Sequence, residues 1–375
     1  MEKFKGIMTF LLRNQITGKY LRKLRKENLD LMDGRDEEYL SRGLKVRFDW
    51  TGGIDKPRVG VVKDHHNLER VPYTSYWPKY LRFLKNNDIP HDIYNAHDSN
   101  WMEQSEKFDV VLWRPNSDPA SLQEAFSKIY FLETKMNKLC HPHHTELWSY
   151  ENKIRSYYLF KHYGIPHPNT FITFSKVEAL KFIERTEYPI VSKVSTSSGS
   201  AGVELIKDRK QARKFIDEIF GIGRETFWKF HKQKGYVYFQ DYIGGAEYDL
   251  RVISVGDLFF GYYRYPGKGD FRASGSGNIE WKEIPVKALK LAKKVKKAFG
   301  TTVLAVDMIP DGKGSYLVIE ASIFFRVDDG VELAIEGVSG YYKMSGDRLI
   351  FRKGQYWVPE LAAREVMKEY LKKME

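Results

Sequence analysis

The sequence predicts an α/β protein in which a small domain of the βαβ type precedes a larger α+β part. In the first third, apolar runs such as "RVGVV" (58–62) and "FDVVLW" (108–113) alternate with helical stretches, which is typical of parallel strands joined by helices. Beyond residue 236 strands dominate, with helices predicted at 285–299 and 359–373. The 375 residues, 42% of them hydrophobic, suffice for two or three domains with sizeable cores.

Changes in this pattern divide the chain into four predicted segments: 1–56, 57–145, 146–235 and 236–375. The third segment combines predicted helices at 147–164, 176–186 and 208–220 with two short strands, "YPIVSKVS" and "VELI". A Ser/Gly-rich loop separates these two strands. We therefore expect a compact α+β unit in this segment.

The formal net charge of +12 favours anionic partners such as nucleic acid, anionic lipid or substrates that carry phosphate or uronic acid groups. Within residues 1–26, eight Lys and Arg residues accompany a single acid, Glu2, and surround the apolar run "FKGIMTFLL". This composition is typical of a basic amphipathic segment that lies on an anionic membrane. The alternative is a helix that packs on its own protein. The chain contains no nucleic-acid recognition motif that we can identify, which argues against nucleic acid as the partner.

Several features predict a cytoplasmic protein. No apolar run reaches the roughly 18 to 20 residues that cross a bilayer, and the N-terminus lacks the uninterrupted apolar core of a signal peptide. The single cysteine, Cys140, excludes an internal disulfide framework and predicts an inert thiol in a reducing compartment. The basic N-terminus adds the interpretation that the protein attaches peripherally to the inner membrane face.

The stretch "LAVDMIPDGKGSYLVIEAS" (304–322) carries two carboxylates where a half-buried hairpin would favour apolar residues. A turn at "PDGKGS" places Asp307 opposite Glu320, with Cβ atoms roughly 5 Å apart. Because side chains alternate along a strand, Ser322 lies on the same face. Two carboxylates at this distance repel unless a cation lies between them. The pattern therefore indicates a Mg²⁺ site, and the alternative is a solvent-facing hairpin with two unrelated acids.

A second stretch suits a phosphate. Lys193 lies on a strand that runs into the loop "TSSGSAG" (196–202). Small residues in such a loop let backbone N–H groups approach a phosphate while the ammonium group neutralises it. The alternative is a flexible surface turn.

Two later stretches offer polar groups around glycines. Between residues 237 and 257, an apolar strand is followed by a glycine pair and then by Glu247 and Arg251. Backbone and amide groups in this stretch suit a purine edge, and an acid suits ribose hydroxyls. The glycine-rich loop at 264–278 contains Arg264 and Arg272, which could clamp phosphate or carboxylate. An ordinary hairpin joint and a mobile basic loop are the alternatives.

In this order, the four stretches resemble the ATP-grasp family, in particular the branch similar to the ligase that adds glutamate to a ribosomal protein. The resemblance covers about residues 145–325. It implies an ATP-grasp fold, in which two α+β subdomains enclose the nucleotide. Residues 146–235 would form the central or lid subdomain and 236–375 the C-terminal subdomain with the metal site. Residues 57–145 resemble the family's usual N-terminal domain.

The resemblance also implies a role for each matching residue. The residues implied to bind the nucleotide are Lys153, Lys193, Ser198, Gly199, Gln240, Asp241, Ile243 and Glu247. Of these, the lysines and the loop residues would contact phosphate, 240–243 the adenine, and Glu247 the ribose. Arg251 and Arg272 match arginines around the γ-phosphate and an acyl phosphate. Asp307, Glu320 and Ser322 are at the metal-binding positions.

Two residues depart from the family pattern. Asn152 stands where the family has an acid before the first nucleotide lysine. Ser322 stands where the family pattern, Glu-x-Asn, provides an amide oxygen as a further metal ligand. A hydroxyl is the weaker ligand, which leaves three alternatives: a loosely bound second ion, water in place of the amide oxygen, or loss of turnover with nucleotide binding retained.

The implied reaction is ATP-dependent ligation of a carboxylate to an amine through an acyl phosphate. Its cofactors would be ATP and one or two Mg²⁺ ions, for which Mn²⁺ could substitute. Charge alone suggests an anionic acceptor, such as a surface polysaccharide precursor or a peptide. The alternatives are a kinase-like phosphotransferase on the same fold and a nucleotide-binding protein that has lost turnover.

Overall fold

The structure is a computed structural model that describes residues 34–50, 53–63, 75–196, 202–228, 230–327, 331–345 and 348–375. The predicted basic segment 1–26 and the loop residues Ser198 and Gly199 lie outside the described residues. Within the described ranges, no helix combines the length and the apolar character needed to cross a membrane.

The first part of the described chain forms a four-stranded parallel sheet with helices around it. Its elements are α1 (Gly34–Ser41), β1 (Val59–Val62), α2 (Trp77–Asn86), β2 (His91–Ile93), α3 (Trp101–Ser105), β3 (Val110–Trp113), α4 (Pro119–Thr134) and β4 (Leu139–His141). The strand order is β2-β1-β3-β4, with parallel pairing throughout. Strands β1 and β3 are buried along their whole length, which explains why they read as continuous apolar runs.

Helix α4 is an element that apolar periodicity alone does not reveal, because only Ala125, Ile129 and Leu132 of its sixteen residues are buried. Its start nevertheless carries a helix signal. The Asp118 side chain accepts a hydrogen bond of 3.0 Å from the backbone N–H of Ser121, and a proline lies in the first turn.

The predicted single helix at 147–164 is wrong, because the chain breaks between α5 (His144–Ser149) and α6 (Lys153–His162). Glu151 has a positive φ of 50°, which is incompatible with a continuous α-helix. Asn152 then caps α6 by accepting a hydrogen bond of 3.0 Å from the backbone N–H of Arg155. The break makes Lys153 the first residue of α6, where its N–H donates to the Ser195 carbonyl at 3.0 Å.

The next part is a small antiparallel sheet with its own core. Its elements are β5 (Thr170–Thr173), α7 (Lys176–Ile183), β6 (Ile190–Lys193), β7 (Val203–Ile206), α8 (Arg209–Phe220), β8 (Arg224–Glu225), β9 (Lys232–Gln233) and β10 (Val237–Asp241). The sheet order is β5-β10-β6-β7, and β8 and β9 form a separate hairpin. Buried residues of α7 and α8 pack on the sheet in a cluster that includes Ile183, Phe215 and Phe239.

The last part is an eight-stranded sheet. Its elements are β11 (Asp249–Val255), β12 (Leu258–Arg264), β13 (Ile279–Glu280), α9 (Val286–Phe299), β14 (Val303–Pro310), β15 (Tyr316–Ser322), β16 (Ala334–Ile335), β17 (Val338–Ser345), β18 (Arg348–Lys353) and α10 (Val358–Met374). The main order is β15-β14-β11-β12-β17-β16, with β13 beside β12 and β18 beside β17. Its buried residues share one core with the parallel sheet.

The hairpin of β14 and β15 has the predicted pairing at the two carboxylates but a different register next to its turn. Asp307 pairs with Glu320, and Ala305 pairs with Ser322. Beyond Asp307 the register shifts by one residue, so that Met308 pairs with Val318. This irregularity leaves Ile319 as the extra residue beside the carboxylate pair.

Gly261 in β12 is a position where a side chain has no room. A Cβ atom there would overlap the Arg251 carbonyl oxygen and lie 2.7 Å from Ile284 Cδ1. We expect Gly261→Ala to lower the free energy of unfolding by about 2 kcal/mol, measured by denaturant unfolding. Gly267→Ala is the matched control, because no atom lies within 4 Å of its added Cβ. Equal stability of the two variants would contradict the prediction.

Candidate active site

A cavity of about 470 Å³ lies between the small sheet and the large sheet. Strands β6 and β10 contribute to one wall, and β14 and β15 contribute to the other. The predicted site residues that line it are Lys153, Lys193, Gln240, Asp241, Ile243, Arg272, Asp307 and Glu320. The fold therefore brings the predicted phosphate, adenine and metal positions to one cavity.

Asp307 is the centre of a buried charge cluster on the large sheet. The register of β11 and β14 sets Arg251 opposite Asp307, and its Nε and Nη2 donate to Oδ1 and Oδ2, each at 2.7 Å. Arg264 Nη2 lies 2.7 Å from Oδ2 of the same carboxylate. Burial alone would raise the pKa of Asp307, but the two guanidinium groups hold it well below its ordinary value. Asp307 is therefore an anion throughout the physiological pH range.

Arg264 is a buried member of this cluster rather than a loop residue. It is the last residue of β12, opposite Asp249 of β11, and it forms a salt bridge with that carboxylate. Burial raises the pKa of Asp249 to about 6, although Arg264 acts in the opposite direction. The sequence signal that points to this pair is the two-residue connection between β11 and β12, which fixes the register along both strands.

Lys153 and Glu320 form an ion pair at the cavity, with 3.1 Å between Nζ and Oε1. The Glu320 side chain is 39% exposed, whereas that of Lys153 is 11% exposed. Burial alone would lower the pKa of Lys153, but the carboxylates of Glu320 and Glu151 raise it above its ordinary value. Lys153 therefore remains a cation beside the predicted metal carboxylate.

Glu151 is an acid directly before Asn152, the position at which the family pattern has an acid. Burial raises its pKa to about 7, and the nearby Lys153 charge opposes that shift. Asn152 instead accepts hydrogen bonds from the Arg155 N–H and, at 3.0 Å, from the Ser195 hydroxyl. The departure at Asn152 thus has a structural role at the start of α6.

Lys193 is a buried cation whose charge is poorly compensated. Its Nζ lies 3.5 Å from the Ile319 carbonyl oxygen and 5.9 Å from the centre of the Tyr238 ring. Burial lowers the pKa of Lys193 to about 8, while Glu320 opposes the shift and Lys153 adds to it. An anionic ligand such as a phosphate would reverse this cost.

The cavity also has an apolar part of its lining, which suits a planar base. Val191, Val203, Ile309 and Ile319 contribute apolar surface to its lining. Two polar groups of the predicted adenine segment are engaged within the protein: Gln240 Nε2 donates to Thr170 Oγ1 at 2.8 Å, and the Asp241 N–H donates to the Asn169 carbonyl at 2.9 Å. Ile243 lies in the lining beyond them.

Three predicted residues of the described chain, Glu247, Arg251 and Ser322, do not line this cavity. Glu247 is exposed. The Ser322 hydroxyl donates to the Phe324 carbonyl at 2.7 Å and lines a small neighbouring cavity with Glu320. Arg272 reaches the main cavity from a loop, where it pairs with Asp270 at 2.8 Å.

The donor set fits a Mg²⁺ ion that a phosphate ligand completes. Asp307 and Glu320 are paired across the hairpin and line the same cavity. Among the described residues, no group of three or more His, Cys, Asp and Glu side chains could hold a metal by itself. Mg²⁺ is commonly bound by one or two carboxylates with waters and substrate phosphates. Asp307 and Glu320 would supply these carboxylates, and an ion would have to share or displace the contacts of 2.7 to 3.1 Å that Arg251, Arg264 and Lys153 make with their oxygens.

Comparison with known proteins identifies the middle of the chain. Residues 150–327 match the family described as "RimK-like ATP-grasp domain", which confirms the resemblance seen in the motifs. The alpha-aminoadipate–LysW ligase LysX of Saccharolobus solfataricus is 29% identical over 184 residues, which are 48% of this chain and 63% of that protein. The chain therefore spans less than two thirds of the length of this curated relative.

Other similarities extend further along the chain. A probable alpha-L-glutamate ligase of Haemophilus influenzae is 28% identical over 236 residues, 62% of this chain and 72% of that protein. The crystal structure of D-cycloserine synthetase DcsG superposes with a TM-score of 0.56 over 84% of this chain and 99% of that chain, at 13% identity. This similarity confirms the predicted fold class.

Proposed function

From the RimK-like ATP-grasp domain that residues 150–327 form, we propose that this protein is an ATP- and Mg²⁺-dependent ligase that joins a carboxylate to an amine. The observation that carries the proposal is the cavity between the two sheets. It combines two lysines, a pair of facing carboxylates and two arginines, Arg264 and Arg272. That combination suits the phosphates of a nucleotide with its metal ion.

The nucleotide lies with its base between the apolar side chains and its phosphates toward Lys153 and Lys193. Among the described residues, no carboxylate forms a salt bridge with Lys193, and its lowered pKa reflects the cost of its burial. Phosphate oxygens offset the cost of burying the Lys193 charge, so the triphosphate contributes most of the binding free energy of the nucleotide. Glu320 keeps Lys153 charged and oriented in the same cavity.

The arginine cluster acts on the transferring phosphoryl group. A substrate carboxylate attacks the γ-phosphorus, ADP leaves, and an acyl phosphate forms; an amine then displaces inorganic phosphate. Asp307 holds Arg251 with two hydrogen bonds and also contacts Arg264, so these charges are oriented before the reaction begins. Asp307 and Glu320 would hold a bound Mg²⁺ ion, which would supply further neutralisation of phosphate charge.

An amino acid is the proposed source of the carboxylate or of the amine. The names of both relatives describe amino-acid ligases, which favours this substrate class over a polysaccharide precursor. The net charge of +12 supports an anionic acceptor, for which a peptide is the simplest candidate. A cytoplasmic location belongs to the same proposal.

Trapping the acyl phosphate tests the reaction. Incubation with ATP, Mg²⁺, hydroxylamine and individual amino acids should yield ADP and a hydroxamate. Lys153→Met should lower this rate by about a hundredfold or more, whereas Lys161→Met, an exposed lysine on the same helix, should leave it unchanged. A stable phosphorylated product without released phosphate would instead support the kinase-like alternative.

The alternative without turnover has one observation in its favour. The Ser322 hydroxyl is engaged with the Phe324 carbonyl, so it is a poor substitute for an amide oxygen at a metal site. If this alternative holds, the protein binds Mg²⁺-ATP without forming ADP, and Ser322→Asn restores turnover. ADP formation by the unmodified protein would exclude it.

A further inference from the structure

The hairpin of β8 and β9 presents apolar side chains to solvent. Phe227 and Phe230 are 54% and 67% exposed, and Ile222, just before the hairpin, is 78% exposed. Exposed aromatic residues that cluster at one place on a surface commonly mark an interaction site. None of these residues lines the cavity described above.

Thr226 forms hydrogen bonds to both described sides of the hairpin connection. Its hydroxyl lies 3.1 and 2.8 Å from the carbonyl oxygens of Trp228 and His231, to either of which its one hydrogen can be donated, and it accepts from the Trp228 N–H at 3.2 Å. At the base, the Gly223 N–H donates to the Glu218 carbonyl at 2.9 Å, which ties the hairpin to α8. The turn therefore holds the apolar side chains in an outward position.

Other exposed apolar side chains lie on elements of the same small sheet subdomain. Phe174 and Val177 are also exposed, at the junction of β5 and α7, and the Phe174 ring lies 5.8 Å from that of Tyr236 at the base of the hairpin. A salt bridge of 2.8 Å between Lys176 and Asp217 joins α7 to α8 beside it. We call the exposed side chains of Phe174, Val177, Ile222, Phe227 and Phe230 the aromatic tip.

The charge around the aromatic tip is positive. The sequence "GRETFWKFHKQKG" (223–235) contains four Lys and Arg residues and one acid. Lys232 and Lys234 are exposed on the hairpin, while Arg224 pairs with Glu204 at 2.7 Å. Exposed phenylalanines beside exposed lysines favour a partner that is both apolar and anionic.

We propose that the aromatic tip docks on an anionic lipid surface. Phenylalanine side chains would enter the boundary between headgroups and acyl chains, and Lys232 and Lys234 would contact the headgroup phosphates. Side chains that project outward from a hairpin turn suit insertion into a bilayer surface, whereas protein partners usually require a complementary pocket or flat patch.

The hairpin that carries the aromatic tip is also connected to residues beside the cavity. His231 Nε2 lies 3.1 Å from the Thr196 hydroxyl, and the Ser195 N–H donates to the Tyr236 hydroxyl at 2.9 Å. Both contacts hold the beginning of the loop that follows Lys193. The membrane-bound protein therefore has its phosphate-binding side tied to the docked hairpin.

The first test is binding of the full chain to vesicles of phosphatidylcholine with and without phosphatidylglycerol, followed by flotation. We expect binding only to the anionic vesicles, and a loss of affinity of about tenfold or more in Phe227→Ser/Phe230→Ser. The control is Tyr130→Ser/Met374→Ser, whose wild-type side chains are 46% and 54% exposed elsewhere on the surface. Equal affinities of the two double variants would overturn the proposal.

The second test locates the contact. Cys140 is the single cysteine and is buried, so an environment-sensitive dye on Phe230→Cys reports on the tip alone. Anionic vesicles should increase its fluorescence, and a nitroxide on the lipid chains should quench it, with no such change for a dye on Met374→Cys. A dye response to polyglutamate or to protein concentration, but not to vesicles, would overturn the proposal in favour of an acidic polypeptide or a second copy.

Discussion

Replacement of Asp307 by asparagine should lower the free energy of unfolding by about 3 kcal/mol, because two buried guanidinium groups lose the anion that they share. Arg251 donates two hydrogen bonds of 2.7 Å to Asp307, and Arg264 lies at the same distance. Asparagine keeps the shape of the side chain but leaves an excess of buried positive charge.

An exposed ion pair in the same chain provides the matched control for this substitution. Asp270 also pairs with an arginine, Arg272, but both side chains are about two fifths exposed, at 38% and 40%. Asp270→Asn should therefore change stability by less than about 1 kcal/mol. Urea unfolding of both variants at neutral pH measures the difference. A loss of stability in Asp307→Asn no greater than that in Asp270→Asn would show that the cluster is not a structural ion network.

The pairing of Asp307 with Glu320 is predicted from the turn, but the turn alone does not fix it. The register next to the turn would set Asp307 opposite Ile319, and the extra residue shifts the pairing to Glu320. Where no extra residue intervenes, a turn between two alternating strands fixes the register, and the register fixes which side chains face each other. This reasoning holds for Asp249 and Arg264 across the connection between β11 and β12. Sequence patterns of this kind predict contacts only within one hairpin.

Contacts between elements distant in sequence could not be predicted in this way. Arg251 meets Asp307 because β11 and β14 are neighbours in the sheet, although α9 and two other strands separate them along the chain. The break at Glu151 is equally hidden, because a positive φ at a glutamate has no compositional signal. The resemblance to a known family supplied the relation between these distant segments.

Lys193→Met should weaken the binding of Mg²⁺-ATP by about a hundredfold and yet stabilise the protein without ligand. Burial lowers the pKa of Lys193 from 10.5 to about 8, which means that the folded protein holds the charged form at a cost on the order of 3 kcal/mol. Methionine fills a similar volume without a charge. Isothermal titration with a non-hydrolysable ATP analogue and thermal unfolding measure the two effects, and destabilisation of the ligand-free variant would contradict the second.

The sign of the pH dependence follows from the same pKa. Below pH 8 Lys193 is charged in both states, so its cost to folding is fully present. Between pH 8 and 10.5 the unfolded chain binds the proton and the folded protein does not, so wild-type stability rises relative to the variant as pH increases. Affinity for the nucleotide should change in the opposite direction and fall by about tenfold between pH 7 and 9, because fewer ligand-free molecules carry the charge. Lys193→Arg keeps its charge over this range, so it should bind with much less pH dependence; if the two proteins showed the same profile, another group would be responsible.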